Sequence, residues 1–139
     1  QNCAIGLIMK CPCHSMMPYS VCCAPLLSGA RPASSALALM RSRYTAFAMK
    51  NAQYLYDTYA KSERAQNRLA DIARGLEGSM WVKLEIVAVH QVDANHARVS
   101  FRAYQQKGNQ QYCLAEDSAF QKEEEGWRYV QKRSKPLAD

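Results

Sequence analysis

The chain has 139 residues, with 18 lysines and arginines against 12 aspartates and glutamates, a net charge of +6. Its 48% hydrophobic and 22% charged residues exclude a disordered or fibrous chain and fit one globular domain with a small appendage. No apolar run approaches the roughly 20 residues that span a bilayer, and Ala4–Met9 is shorter than a signal-peptide core, so a cytoplasmic protein without a membrane partner is expected.

The first feature along the chain is chemical. Four of the six cysteines lie in one short stretch, as Cys11-Pro12-Cys13 and Cys22-Cys23. Adjacent or nearly adjacent cysteines bridge one another only with strained geometry, and a cytosolic setting keeps thiols reduced. Two close thiol pairs flanking a short loop suit a tetrahedral tetrathiolate site, for which zinc is the best match. Such a site is closed, so the expected cofactor is one structural zinc ion held by Cys11, Cys13, Cys22 and Cys23. His14 is the substitute ligand should one cysteine fail. Pro12 and Pro18 stiffen the loop. Cys3 and Cys113 stand apart; Cys113 falls in a strand pattern and reads as a buried apolar side chain.

Gly29 and Pro32 punctuate the chain between Leu27 and Ser34, dividing a zinc module (1–30) from the remainder (31–139). Ser34 or Ser35 is placed to cap a helix. Leu37, Met40, Arg41, Tyr44, Phe47 and Ala48 then recur on one helical face. Asn51 breaks this helix. A second spans Ala52 to Tyr59, and a third starts at a Ser62 cap and runs to about Arg74, ended by Gly75 and Gly78. The period then changes to two. Val82, Leu84 and Ile86 alternate, and Val87 and Val89 continue in the opposite phase, which predicts a bulge. Asp93-Ala94-Asn95 turns into Ala97, Val99, Phe101 and Ala103. Lys107-Gly108-Asn109 turns into Tyr112, Leu114, Glu116, Ser118 and Phe120. Glu123–Gly126 leads to Trp127, Tyr129 and Gln131. Short hairpins make a consecutive antiparallel sheet, so the fold class is α+β: a curved sheet packed on three helices.

Cys11-Pro12-Cys13, Ser15, Pro18-Tyr19 and Cys22-Cys23 resemble the SEC-C motif, a small zinc-binding module named from the C-terminal tail of the translocase ATPase SecA. Met40-Arg41-Ser42-Arg43-Tyr44, Tyr54-Leu55, Trp81, Glu116-x-Ser118-x-Phe120 and Gly126-Trp127-Arg128-Tyr129-Val130 are similar to the YchJ-like family of bacterial proteins. The resemblance runs from about Cys11 to Val130. It implies a zinc module followed by a cone of nuclear transport factor two-like fold, and no particular reaction. It also implies a protein partner in translation or secretion, because the SecA tail contacts a chaperone and the ribosome. His14, Met16 and Ala24 stand where the family loop carries glycine. Ala115 replaces a histidine that often precedes the strand glutamate.

Glu116 shares its strand face with Leu114 and Phe120, and Arg41 shares its helix face with Met40 and Tyr44. A charge on an apolar face is costly unless paired, so Glu116 is expected to meet Arg41 or Arg43 inside the cone. That pair, with Ser118 and with Tyr44, Tyr54, Trp81 and Phe101 as walls, is either a ligand pocket or a structural ion pair. A glutamate neutralised by arginine is a poor general base, so no catalytic residue is assigned. The function expected is a zinc-binding adaptor presenting Met16, Met17, Pro18, Tyr19, Leu26 and Leu27 to a protein. The alternative is a small-ligand binder or enzyme using the cone. Basic residues are scattered, with small groups at Arg41/Arg43 and Lys132/Arg133/Lys135, so nucleic-acid binding through the basic surface is the weaker third alternative and a nucleic-acid partner is not expected.

Overall fold

The structure is a computed structural model that describes residues 9–130. Cys3, Gln131 and the Lys132/Arg133/Lys135 group lie outside the described residues.

A single-turn 3-10 helix, Tyr19–Val21, and a short helix α1 (Ala24–Leu27) complete the cysteine loop. The longest helix, α2 (Ala36–Ala48), starts at Ser35, whose side-chain oxygen accepts a hydrogen bond from the Ala38 amide. That bond satisfies one of the helix's unpaired N-terminal donors. Asn51 caps α3 (Ala52–Asp57) in the same way, accepting from the Tyr54 amide.

The predicted third helix is divided into a 3-10 segment, Lys61–Gln66, and α4 (Leu69–Gly75). Ser62 does not cap it. The Ala60 amide donates to Tyr129 O, and the Tyr129 amide donates to Thr58 O. These bonds to the last strand hold Ala60 extended (φ −55°, ψ 147°), so the turn begins at Lys61 and Ser62 falls inside it. Gly78, at φ 79°, ends the helical half in the left-handed region.

Four antiparallel strands follow in simple consecutive order: β1 (Met80–Asp93), β2 (His96–Lys107), β3 (Gln110–Glu123) and β4 (Gly126–Val130). The register of β1 on β2 slips between Trp81 and Lys83, between Ile86 and Ala88, and between Gln91 and Asp93. The middle slip leaves Val87 as the extra residue, where the sequence changes phase. Bulges bend and twist a strand, and three on one strand curve the sheet over the helices.

Ala97, Val99, Phe101 and Ala103 form the buried face of β2 and join Leu39, Met40, Tyr44, Leu84, Phe120 and Trp127 in the main core. Cys11, Cys13, Cys23 and Leu26 belong to that same cluster. Helix α2 is buried more widely than one amphipathic face predicts: Leu39, Ser42, Thr45 and Ala46 are buried as well as Met40 and Tyr44. The sheet covers one side of the helix, and the cysteine loop and α3 cover others.

The buried reading of Cys113 is overturned: its side chain is exposed. Residues Gln110 to Ala115 are exposed on both strand faces, Tyr112 and Leu114 included. The tip of the β2–β3 hairpin extends past the helices, and alternation of residue types cannot reveal that nothing covers it. Among the described residues, no helix is long and apolar enough to cross a membrane.

Candidate metal centre

The cysteine loop is a miniature hairpin. Lys10 pairs with Pro18, the Cys11 amide donates to Met17 O at 2.8 Å, and the Tyr19 amide donates to Met9 O at 2.8 Å. To close its tip, His14 and Met16 adopt φ values of 64° and 72°. These are left-handed conformations that favour glycine, and they fall at two of the three positions where the family loop carries one. Ala24, the third, begins an ordinary right-handed helix. Cys11 and Cys13 sit on the hairpin, and Cys22 and Cys23 at the junction of the 3-10 turn and α1.

The four sulfurs all lie within 4.8 Å of one another. Cys13 Sγ is 3.6 Å from Cys22 Sγ, and Cys22 Sγ is 4.0 Å from Cys23 Sγ. An ion held tetrahedrally by four thiolates at about 2.3 Å requires sulfur separations near 3.8 Å. The spacing therefore fits a metal ion and is far too long for a disulfide. Cys11, Cys13 and Cys23 are buried, and Cys22 reaches the surface.

The surrounding polar groups suit a negatively charged cluster. Thr45 Oγ1 donates to Cys23 Sγ at 3.3 Å and lies 3.7 Å from Cys11 Sγ. Ser15 Oγ accepts from the Met17 amide, which leaves its proton for Cys22 Sγ at 3.2 Å. Arg41, one turn before Thr45 on α2, donates from Nη1 to Cys13 O at 2.9 Å. Such outer partners orient and tune metal ligands. Sequence reasoning missed Thr45; its i, i+4 relation to Arg41 was the available signal. Hydrogen bonding, chiefly from Cys23, outweighs burial and holds the Cys13 thiol down at about 4. Engagement with Cys13 and then burial push Cys23 up, and burial pushes Cys22 up. A metal binds such a cluster by displacing thiol protons.

The eight residues predicted to form a pocket are divided. Arg43, Tyr44, Trp81, Phe101, Glu116 and Ser118 line one cavity of about 200 Å³ between α2 and the sheet. Arg41 is turned away to the cysteine loop, being two residues and more than half a helical turn from Arg43. Tyr54 hydrogen-bonds Ser42 Oγ through its hydroxyl at 2.7 Å and lines a different crevice with Leu39 and Thr58.

The expected pairing of Glu116 with arginine does not occur, since neither Arg41 nor Arg43 forms an ion pair with it. Arg43 is buried and donates from Nη1 to Leu55 O at 2.9 Å and to Thr58 Oγ1 at 2.7 Å. Its guanidinium stacks between the Tyr59 and Tyr129 rings, 4.7 and 4.5 Å from their centroids. Carbonyl and π partners hold it at the end of α3 and β4. Burial draws its pKa down from the ordinary value, opposed by the two tyrosines. Tyr44 packs edge-on against His14 on one side and Trp81 on the other.

A family profile described as the YchJ middle NTF2-like domain matches residues 35–132. The UPF0225 proteins of two Vibrio cholerae serotype O1 strains are each 33% identical over 123 residues, 88% of this chain and 81% of theirs. Among solved structures, a SEC-C motif containing protein from Rhodopseudomonas palustris superposes with a TM-score of 0.83 at 30% identity, over 91% of this chain and 99% of that one. Another from Psychrobacter arcticus gives a TM-score of 0.79 at 25% identity, over 95% of this chain and 85% of that one. With this cysteine cluster set before a curved four-stranded sheet, the chain belongs to the YchJ-like UPF0225 family of NTF2-like proteins.

Proposed function

We propose that the chain is a zinc-stabilised interaction module, with Cys11, Cys13, Cys22 and Cys23 holding one structural zinc ion. The observation that carries this reading is the closed group of four sulfurs within 4.8 Å of one another. Four soft thiolates in a redox-silent tetrahedral site suit zinc better than other common ions, and no ligand position is left for water or substrate. When bound, the ion supplies cross-linking rather than reactivity.

The loop it fixes exposes Met16, Met17 and Val21. Flexible methionines on a rigid support suit adaptable protein contacts. Leu26, offered by the sequence as a contact residue, instead packs in the core with the cysteines. It belongs to the support and not to the contact face. The two solved relatives are themselves SEC-C motif containing proteins.

Elemental analysis of protein purified without added metal should find about one zinc per chain, lost in Cys22→Ser/Cys23→Ser. A metal-free protein from reducing buffer would refute the zinc assignment. Met16→Asp/Met17→Asp should retain zinc and its melting temperature yet lose any partner that the parent binds only when zinc-loaded. Equal partner recovery by parent and variant would refute the contact surface.

A further inference from the structure

Arg43 and Glu116 line the same cavity and do not meet. Arg43 is only 5% exposed, and no carboxylate among the described residues forms an ion pair with it. Its partners are the Leu55 carbonyl, the Thr58 hydroxyl and the Tyr59 and Tyr129 side chains, all of them neutral. None of these removes its charge. Glu116 accepts one long bond, from Ser118 Oγ at 3.4 Å, and has no cationic partner among the described residues.

Opposite charges in a low-dielectric cleft attract strongly. Where the fold holds both against the same space without letting them pair, the space between them is chemically asymmetric. Apart from the Ser118 hydroxyl beside Glu116 and the buried, unpartnered Tyr44 hydroxyl, the remaining lining is mostly apolar or aromatic: Met40, Phe47, Trp81, Phe101 and Phe120 among others. At about 200 Å³, the cavity falls below the roughly 300–1,000 Å³ of sites for drug-sized molecules, so its ligand is small.

We infer that this cavity binds a small zwitterion with an apolar side chain, of the free amino acid class. Its carboxylate faces Arg43, its ammonium faces Glu116 and its side chain lies against the aromatic wall. The inference is independent of the metal-centred reading above, since it uses none of the cysteines.

The test uses zinc-loaded full chain and three probes at neutral pH: L-phenylalanine, phenylacetate and 2-phenylethylamine. The last two each lack one of the charges. Binding is followed through the indole N–H resonance of Trp81, with saturation giving Kd. Phenylalanine should bind at least about tenfold more tightly than either analogue, the discrimination expected when a buried charged partner is left unpaired. In Glu116→Gln the preference for phenylalanine over phenylacetate should disappear. Because Glu116 is partly exposed and makes one weak bond, this variant should melt with the parent. Phenylacetate binding as tightly as phenylalanine, an unchanged preference in the variant, or no saturable shift with any probe would each overturn the inference.

Discussion

His14 and Met16, like Lys50 after α2, carry a local backbone cost. Each holds a φ near the left-handed basin, at 64° and 72°, where an L-residue loses about 1–2 kcal/mol. Glycine avoids that penalty but gives back about 0.5–1 kcal/mol through the entropy of the unfolded chain. Met16 is 63% exposed, so little packing is lost with it. Met16→Gly should therefore stabilise the metal-loaded protein by about 0.5–1 kcal/mol in urea denaturation. His14→Gly should change little, because it also removes the edge-on contact with Tyr44, worth about 0.5–1.5 kcal/mol. A gain at His14 matching that at Met16 would mean the ring contact is idle. The resemblance marked His14, Met16 and Ala24 as replacing loop glycines, and two of the three carry left-handed backbone. The separation of Arg43 from Glu116 was not legible in the sequence. Periodicity put Glu116 and Arg41 on inward faces and offered Arg43 only as the other partner, and it carries no information about Leu55 O, Thr58 or the tyrosine rings that hold the Arg43 guanidinium.

At the level of elements, α2 and the three hairpins were legible because their signals are local: a serine cap, a helical repeat and turn residues between alternating runs. The Val87 bulge was legible for the same reason. The third helix was misread because its start is fixed by Thr58 and Ala60 bonding to Tyr129, far away in the chain. The two serines offered as caps can be separated by experiment. Ser35→Ala should cost about 1 kcal/mol, since its oxygen satisfies the Ala38 amide. Ser62→Ala should stay within about 0.5 kcal/mol, as expected of a surface change away from any cap. Comparable losses at both positions would mean that Ser62 performs a capping role the structure does not show. Cys113 illustrates a second limit. Alternation assigns a strand residue to a face, but whether that face is covered depends on how far the helices reach.

At the scale of the molecule, the cysteine loop is not a separate bead. Cys11, Cys13 and Cys23 share one core with α2 and the sheet, so metal loss should be felt well beyond the loop. Chelation under reducing conditions should lower the melting temperature by at least about 10 °C, with recovery on adding zinc back. An unchanged transition would show that the loop merely rests on the domain. Tyr44 gives the joint a further property. Its ring touches His14 of the metal loop on one side and Trp81 of the cavity wall on the other, so one side chain is a boundary common to two compartments. Any equilibrium effect across such a boundary is reciprocal: the factor by which a bound metal alters the cavity's affinity is the factor by which a filled cavity alters the metal's.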